Sequence, residues 1–372
     1  MKQRKSRKSA LFDLNHPADF HFFKFLFRWM DQEGWEYRIL ARDKELLHEL
    51  LDHALIPYAS RGKGRKRLLG KYLYALRVLF QLGVLALRFR PVLGLSLSSP
   101  YLALTCRILH IPCLTYDDTD LNPRLLPLIR QSSHLLSPAS YPHLFHQGHV
   151  RVPSFKELAY LHPEVFAMDR APESNLPSEK LRAPESDLPS DEDLVRPAHP
   201  GREAVFIRLT RTDSVHHSSR SRLDLARVLK RIHTLSDSYP LILSSELEVQ
   251  ASPSAKLTLA RPLDIHTQLS ACRAFWGNSA TMAAEAAVLG VPAVFVSAEK
   301  FAYISELESY GLLFHFDPSE LDASLEKLER LLRHPTPEVF RRARQKLLDE
   351  KSAMTPLLIE WVEKIRKSNP RG

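Results

Sequence analysis

Between Trp276 and Pro292 the chain reads WGNSATMAAEAAVLGVP, a strand end followed by Asn278, Ser279 and Thr281 and then an alanine-rich run. Short polar side chains just ahead of such a run cap a helix. The backbone N–H groups of the first turn and the helix dipole then face any phosphate that approaches. Ala280, Ala283 and Ala284 let a ligand or a neighbouring strand come close, and Glu285 stands one turn in, where it suits hydrogen bonds from ribose hydroxyls. The competing reading of these residues is a capped helix packed tightly on a sheet, with no ligand at all.

A second constellation, Asp13 to Phe23 (DLNHPADFHFF), puts Asn15 and His16 at the carboxyl end of the first expected strand. Open α/β sheets hold ligands at that edge. No glycine-rich phosphate cradle is present there. An imidazole titrates near neutrality, so His16 suits removal of a proton from a hydroxyl, against the alternative of a capping or packing role. His21 falls within the following helix and reads as structural. Asp117 and Asp118, Arg208 and Thr210, and the pair His216 and His217 follow other strands and read equally well as solvated loop residues. No histidine falls in a metal-binding helical spacing, so no structural metal is expected.

The elements that must position these groups alternate in the manner of βαβ units around parallel sheets. Strands are expected at Ala10 to Asn15, Tyr37 to Arg42, Ile56 to Ser60, Val92 to Ser98, Pro112 to Asp117 and His134 to Ser140. Pro17 suits a first helical turn, with Phe20, Phe23, Phe27 and Met30 on one face and a stop at Gly34. A second series comes at Ala204 to Leu209, Leu241 to Ser244, Leu257 to Leu259, Ala274 to Gly277 and Ala293 to Ser297, and the chain from Pro318 on is helical and charged. Between the two series, residues 167–200 turn to Pro, Glu, Ser and Asp, and RAPESNLPS from Arg170 recurs as RAPESDLPS from Arg182. Two polar copies cannot stack into a solenoid, so they read as a duplicated linker. The resulting division is a basic tail (1–9), a Rossmann-like domain (10–166), the linker (167–200), a second Rossmann-like domain (201–335) and C-terminal helices (336–372) that cross back to the first domain.

The 372 residues suit two domains. A net charge of +9 points to an anionic partner without choosing among nucleotide, phosphorylated lipid, membrane surface and nucleic acid. No nucleic-acid recognition motif is present, so nucleic acid is not expected. The stretch LLGKYLYALRVLFQLGVLAL (68–87) is the most apolar in the chain, but Lys71, Arg77 and Gln81 interrupt it, which argues against a membrane-crossing helix. Bordered by RGKGRKR and by Arg88 and Arg90, it reads either as a sheet-covering helix or as one resting on an anionic membrane. The basic residues at positions 2 to 8 precede no signal-peptide core, and Cys106, Cys113 and Cys272 read as buried thiols of a reducing compartment. A cytoplasmic protein, peripheral at the inner membrane face, is the expectation.

DLNHPADFHFFK at the start, ARDK at 41–44, KELAYLHP at 156–163 and GNSATMAAEAAVLGVP at 277–292 together resemble the uncharacterised prokaryotic family known as domain of unknown function 354, over most of residues 10–315. That family resembles the GT-B glycosyltransferases and the UDP-N-acetylglucosamine 2-epimerases. The resemblance implies an α/β, GT-B-like fold of two Rossmann-like, doubly wound domains facing a central cleft, the second holding the nucleotide. Ser279, Thr281 and Glu285 are similar to the serine turn and ribose-binding glutamate of the lipid-linked peptidoglycan N-acetylglucosaminyltransferase. Asn278 and Ala280 depart from the acidic and small residues common there.

The resemblance further implies a metal-independent glycosyltransferase using a nucleotide sugar such as a UDP-sugar, with no further cofactor, in surface polysaccharide or glycolipid synthesis. His16 and Asp118 are its catalytic candidates. Asn15, Arg208, Thr210, Asn278, Ser279, Thr281 and Glu285 are its nucleotide-sugar contacts, and a lipid-linked molecule is a candidate acceptor. A UDP-sugar 2-epimerase or hydrolase and a non-catalytic binder of anionic ligands are the alternatives.

Overall fold

A computed structural model describes residues 7–44, 46–65, 67–119, 126–165, 203–210, 223–247 and 257–369. The repeat at 167–200, the histidines at 216 and 217 and the first six residues of the expected tail lie outside these. Among the described residues one compact unit comprises 7–160, 164–165 and 352–369, and the other 161–163 and 203–351.

The first unit begins β1 (Ser9–Leu14), α1 (Pro17–Gln32), β2 (Glu36–Ala41), α2 (Leu47–His53), β3 (Ala59–Ser60) and α3 (Leu68–Phe89). It continues β4 (Leu93–Leu97), α4 (Pro100–Leu109), β5 (Cys113–Tyr116), α5 (Leu126–Ile129), β6 (His134–Pro138) and β7 (His149–Val152). All seven strands are parallel, in the order β3-β2-β1-β4-β5-β6-β7. The chain reverses its direction of winding between β1 and β4, and ligands of doubly wound sheets sit at such a point.

Local chemistry explains why α1 starts and stops where it does. His16 caps it, Pro17 presets its first turn, and Gly34, at φ +69°, comes just after it. The expected apolar face is buried, and Phe12 of β1 meets Phe23 and Phe27 edge-on at 5.2 and 4.8 Å. Each such ring, once buried, stabilises the fold by roughly 1.5–3 kcal/mol. Within the expected basic tail, Ser9 already belongs to β1 and Lys8 pairs with Glu33 at 2.9 Å.

The second unit holds β8 (Val205–Leu209), α6 (Leu225–Ser238), β9 (Leu241–Ser245), β10 (Leu257–Leu259), α7 (Ile265–Ser270), β11 (Ala274–Gly277), α8 (Ala280–Val288) and β12 (Ala293–Val296). It ends with α9 (Ala302–Ser309), β13 (Leu313–Phe316), α10 (Leu321–Arg333) and α11 (Pro337–Glu350). Its six parallel strands run β10-β9-β8-β11-β12-β13, so the winding again reverses beside the first strand, between β8 and β11. Sequence periodicity passes over β7 and β13, each four residues long and carrying one histidine among its apolar residues.

The C-terminal helices divide differently from the expectation. Helix α11 stays with the second unit, where Arg344 donates to the carbonyl of Val288 at 2.9 Å. The final helix, α12 (Met354–Ser368), belongs to the first unit, where Thr355 Oγ1 donates to Ala159 O and Asn369 Nδ2 to Val92 O. The return therefore falls at Lys351–Ser352 rather than near residue 336.

Candidate functional site

In the first unit the switch point is built around a buried ion pair. Asp13, near the carboxyl end of β1, is fully buried, and Arg61, just after β3, is 1% exposed. The Arg61 Nη1 reaches both oxygens of Asp13, at 2.6 and 2.8 Å, and its Nη2 donates to Asn15 Oδ1. The Ser99 hydroxyl donates to Asp13 Oδ2, an oxygen that Arg61 also reaches, while accepting from Leu102 N–H as the cap of α4. Tyr74 and Tyr101 face the guanidinium at 6.0 and 5.5 Å. Burial pushes the Asp13 carboxyl up, against the pull of Arg61 and Ser99.

Asp19 joins this cluster by accepting from the Asn15 N–H at 2.7 Å, and burial raises its carboxyl to about 7. The charges of Asp13, Arg61 and Lys156 all act on it. Lys156 in turn pairs with Asp118 at 2.8 Å, side chains 6% and 10% exposed, and approaches buried Glu157 at 3.5 Å. Asp117 accepts from Ser98 Oγ at 2.5 Å and Tyr141 Oη at 2.7 Å, and burial carries it to about 6. Ser98 itself sits at φ +52°, a conformation that non-glycine residues adopt at a cost.

Asn15, His16 and Asp118 thus stand at one sheet edge of this unit, among carboxylates held by cations and hydroxyls. Of the two readings offered for His16, the structure shows the cap. The His16 Nδ1 accepts from Ala18 N–H at 3.2 Å, so it caps α1. A neutral ring in that bond carries its proton on Nε2 and presents a donor there. Asp118 is ion-paired with Lys156, which fixes its carboxylate rather than leaving it a solvated loop group.

In the second unit the corresponding point is bracketed by Asn278. Its Oδ1 accepts from Thr210 N–H at 2.7 Å and its Nδ2 donates to Thr210 O at 3.1 Å, tying the ends of β8 and β11 together. Gly277 is required here, since a Cβ would stand 2.5 Å from the carbonyl oxygen of Arg208. Ser279 caps α8, its hydroxyl accepting from Met282 N–H at 3.4 Å. Ala283, Ala284, Ala286 and Ala287 are all buried, so the helix lies close against β11 and β12. Asn278, Ser279, Ala280 and Thr281 remain partly exposed at its amino end.

Two expected contacts are engaged elsewhere. Arg208 donates to Ser244 Oγ at 2.8 Å and Glu246 at 2.5 Å, toward β9 and away from β11, so its charge is already balanced. Glu285 is 4% exposed and shares a hydrogen bond of 3.1 Å with His266 Nε2 on α7. Asp13 and Arg61 escaped the sequence reading. The one available signal was a carboxylate inside the apolar strand SALFDL, which demands a cation.

No protein-family model matches the chain, and no curated protein matches it in sequence. Solved structures do. Spinosyn forosaminyltransferase SpnP superposes with a TM-score of 0.60 at 16% identity, over 96% of this chain and 100% of that one. The fold is that of the GT-B glycosyltransferases. MnaA of S. aureus, solved with UDP, gives 0.63 at 12% identity, over 98% and 99% of the two chains. The UDP-GlcNAc 2-epimerase of Methanocaldococcus jannaschii gives 0.56 at 12% identity, over 95% and 99%.

Proposed function

We propose that the chain is a nucleotide-sugar-dependent glycosyltransferase of GT-B type, within the uncharacterised family that its motifs resemble. The nucleotide diphosphate is assigned to the amino end of α8, and the acceptor hydroxyl to the sheet edge that carries Asn15, His16 and Asp118. The observation behind this reading is the construction of the second switch point. There a capped helix start, small residues and the Asn278 bracket coincide at the position where doubly wound sheets take ligands. The fold likeness to SpnP and to UDP-bound MnaA supports the choice of ligand class.

In the reaction the acceptor oxygen bonds to the anomeric carbon as the carbon–phosphate oxygen bond breaks, and the electron pair leaves with the nucleotide diphosphate. Helix α8 stabilises that charge through its dipole and first-turn N–H groups. With Arg208 balanced by Glu246, this stabilisation rests on the helix more than on that cation. The acceptor proton is assigned to His16, whose ring must release Ala18 N–H to bare a lone pair. Glu285 has to exchange His266 for a ribose hydroxyl, or else fix α7 against α8 as it does here.

Titration calorimetry with UDP and TDP tests the donor side, and transfer assays with chelator-treated protein test the chemistry. His16→Asn keeps a capping side chain and removes the imidazole. A loss of about a hundredfold in turnover is expected for it, the scale of general-base catalysis. Undiminished turnover in His16→Asn, or activity that disappears on chelation, contradicts the assignment. Likeness to the M. jannaschii enzyme supports a second reading, a UDP-sugar 2-epimerase. Epimerised UDP-sugar formed with no acceptor present would decide for it.

A further inference from the structure

Helix α3 presents an apolar stripe that the first unit does not cover. Leu69, Tyr72, Leu73, Leu76, Phe80 and Leu87 are each between 59% and 72% exposed, and their spacing of three, one, three, four and seven residues keeps them on one helix face. The opposite face, with Val78, Leu82 and Ala86, packs into a core with Leu11, Leu102 and Cys106. By length and composition the helix passes for a membrane span, yet it is not free to cross a bilayer, because that second face belongs to the protein interior. Nor is it an interior helix, since little of its apolar length is buried.

The charge around the stripe identifies what covers it. Arg65, Arg67, Lys71, Arg77, Arg88 and Arg90 are exposed, and none of them forms an ion pair among the described residues. Not one Asp or Glu occurs between Asp52 and Asp117. A second copy of the chain, docked stripe to stripe, would set these cations against one another with no carboxylate between. An anionic lipid surface satisfies both features at once, taking the apolar side chains among its acyl chains and the cations among its headgroups.

We infer that α3 docks the protein in-plane on anionic lipid bilayers, through the Leu69–Leu87 stripe and the basic residues that frame it. The inference is independent of the nucleotide-sugar reading. It is tested by sedimenting the full chain with vesicles of phosphatidylcholine, alone or with roughly 30% phosphatidylglycerol, at low and high salt. The protein is expected to pellet with the anionic vesicles, and less so as salt rises. Leu73→Gln/Leu76→Gln/Phe80→Gln alters only exposed positions and is expected to weaken partitioning at least about tenfold. Arg65→Glu/Arg67→Glu is expected to weaken it by at least about 25-fold, from about fivefold per lost cation with the repulsion of the two new carboxylates in addition. Wild-type protein that stays in the supernatant with anionic vesicles, or an apolar-face variant that pellets as wild type does, overturns the inference. So does a dimer in solution that the apolar-face variant dissociates, or a pellet that alkaline carbonate cannot extract, which would mean a second copy or a spanning helix. Nucleotide binding measured on the same variants separates this failure from a failure of the donor site.

Discussion

Replacing Arg61 by Met removes a buried cation while keeping most of its length, and leaves the Asp13 carboxylate with Ser99 but no counter-charge. Removing one partner of a buried pair costs about 3–5 kcal/mol. The structure supplies a ceiling of similar size. A carboxylate stranded in this interior escapes by taking up a proton, and at pH 7 protonating a group of ordinary value 3.8 costs about 4 kcal/mol, at 1.36 kcal/mol per pH unit. The sign comes from linkage. With Arg61 gone, burial and the neighbouring Asp19 charge act on Asp13 against the Ser99 bond, so its folded pKa lies above its unfolded one. The variant is then least penalised below about pH 4 and loses stability as pH rises. Urea unfolding of wild type and Arg61→Met between pH 4.5 and 7.5 measures this, with an expected loss of about 3–5 kcal/mol at neutrality that shrinks by more than half at the acid end. Asp13→Asn/Arg61→Met is expected to be more stable than Arg61→Met, because it strands no charge. A loss below about 1 kcal/mol at neutrality, or one that does not vary with pH, refutes the account of the cluster as an ion pair held out of water.

Asp19→Asn removes a carboxyl that burial raises to about 7, so wild type sheds stability as pH climbs from 3.8 toward 7 and the variant does not. The difference in unfolding free energy should be near zero at pH 4 and level off above pH 7 at up to on the order of 4 kcal/mol, as read by denaturant titration. Ser279→Ala is expected to cost about 1 kcal/mol as a lost cap and to shrink the thermal shift that UDP produces. Gly277→Ala forces a methyl against Arg208 O, and a loss of about 1–3 kcal/mol with weaker nucleotide binding should appear in melting and calorimetry.

Much of this protein is legible in local pattern. Apolar runs alternating with amphipathic helices announced two parallel-sheet units, and Ser279 with its alanine-rich run marked the start of α8, because a cap acts within one helical turn. The exposed stripe of α3 is likewise written in helical spacing, although only packing reveals which face the core takes. Sequence left open what each polar side chain meets. Arg61 finds Asp13 across 48 residues, Lys156 finds Asp118 across 38, Arg208 turns to Glu246, and Glu285 to His266. Periodicity assigns a residue to a face or a strand end, while the partner of a buried charge depends on which strands the winding order sets side by side. That order, with its reversals beside β1 and β8, exists only in the assembled sheets.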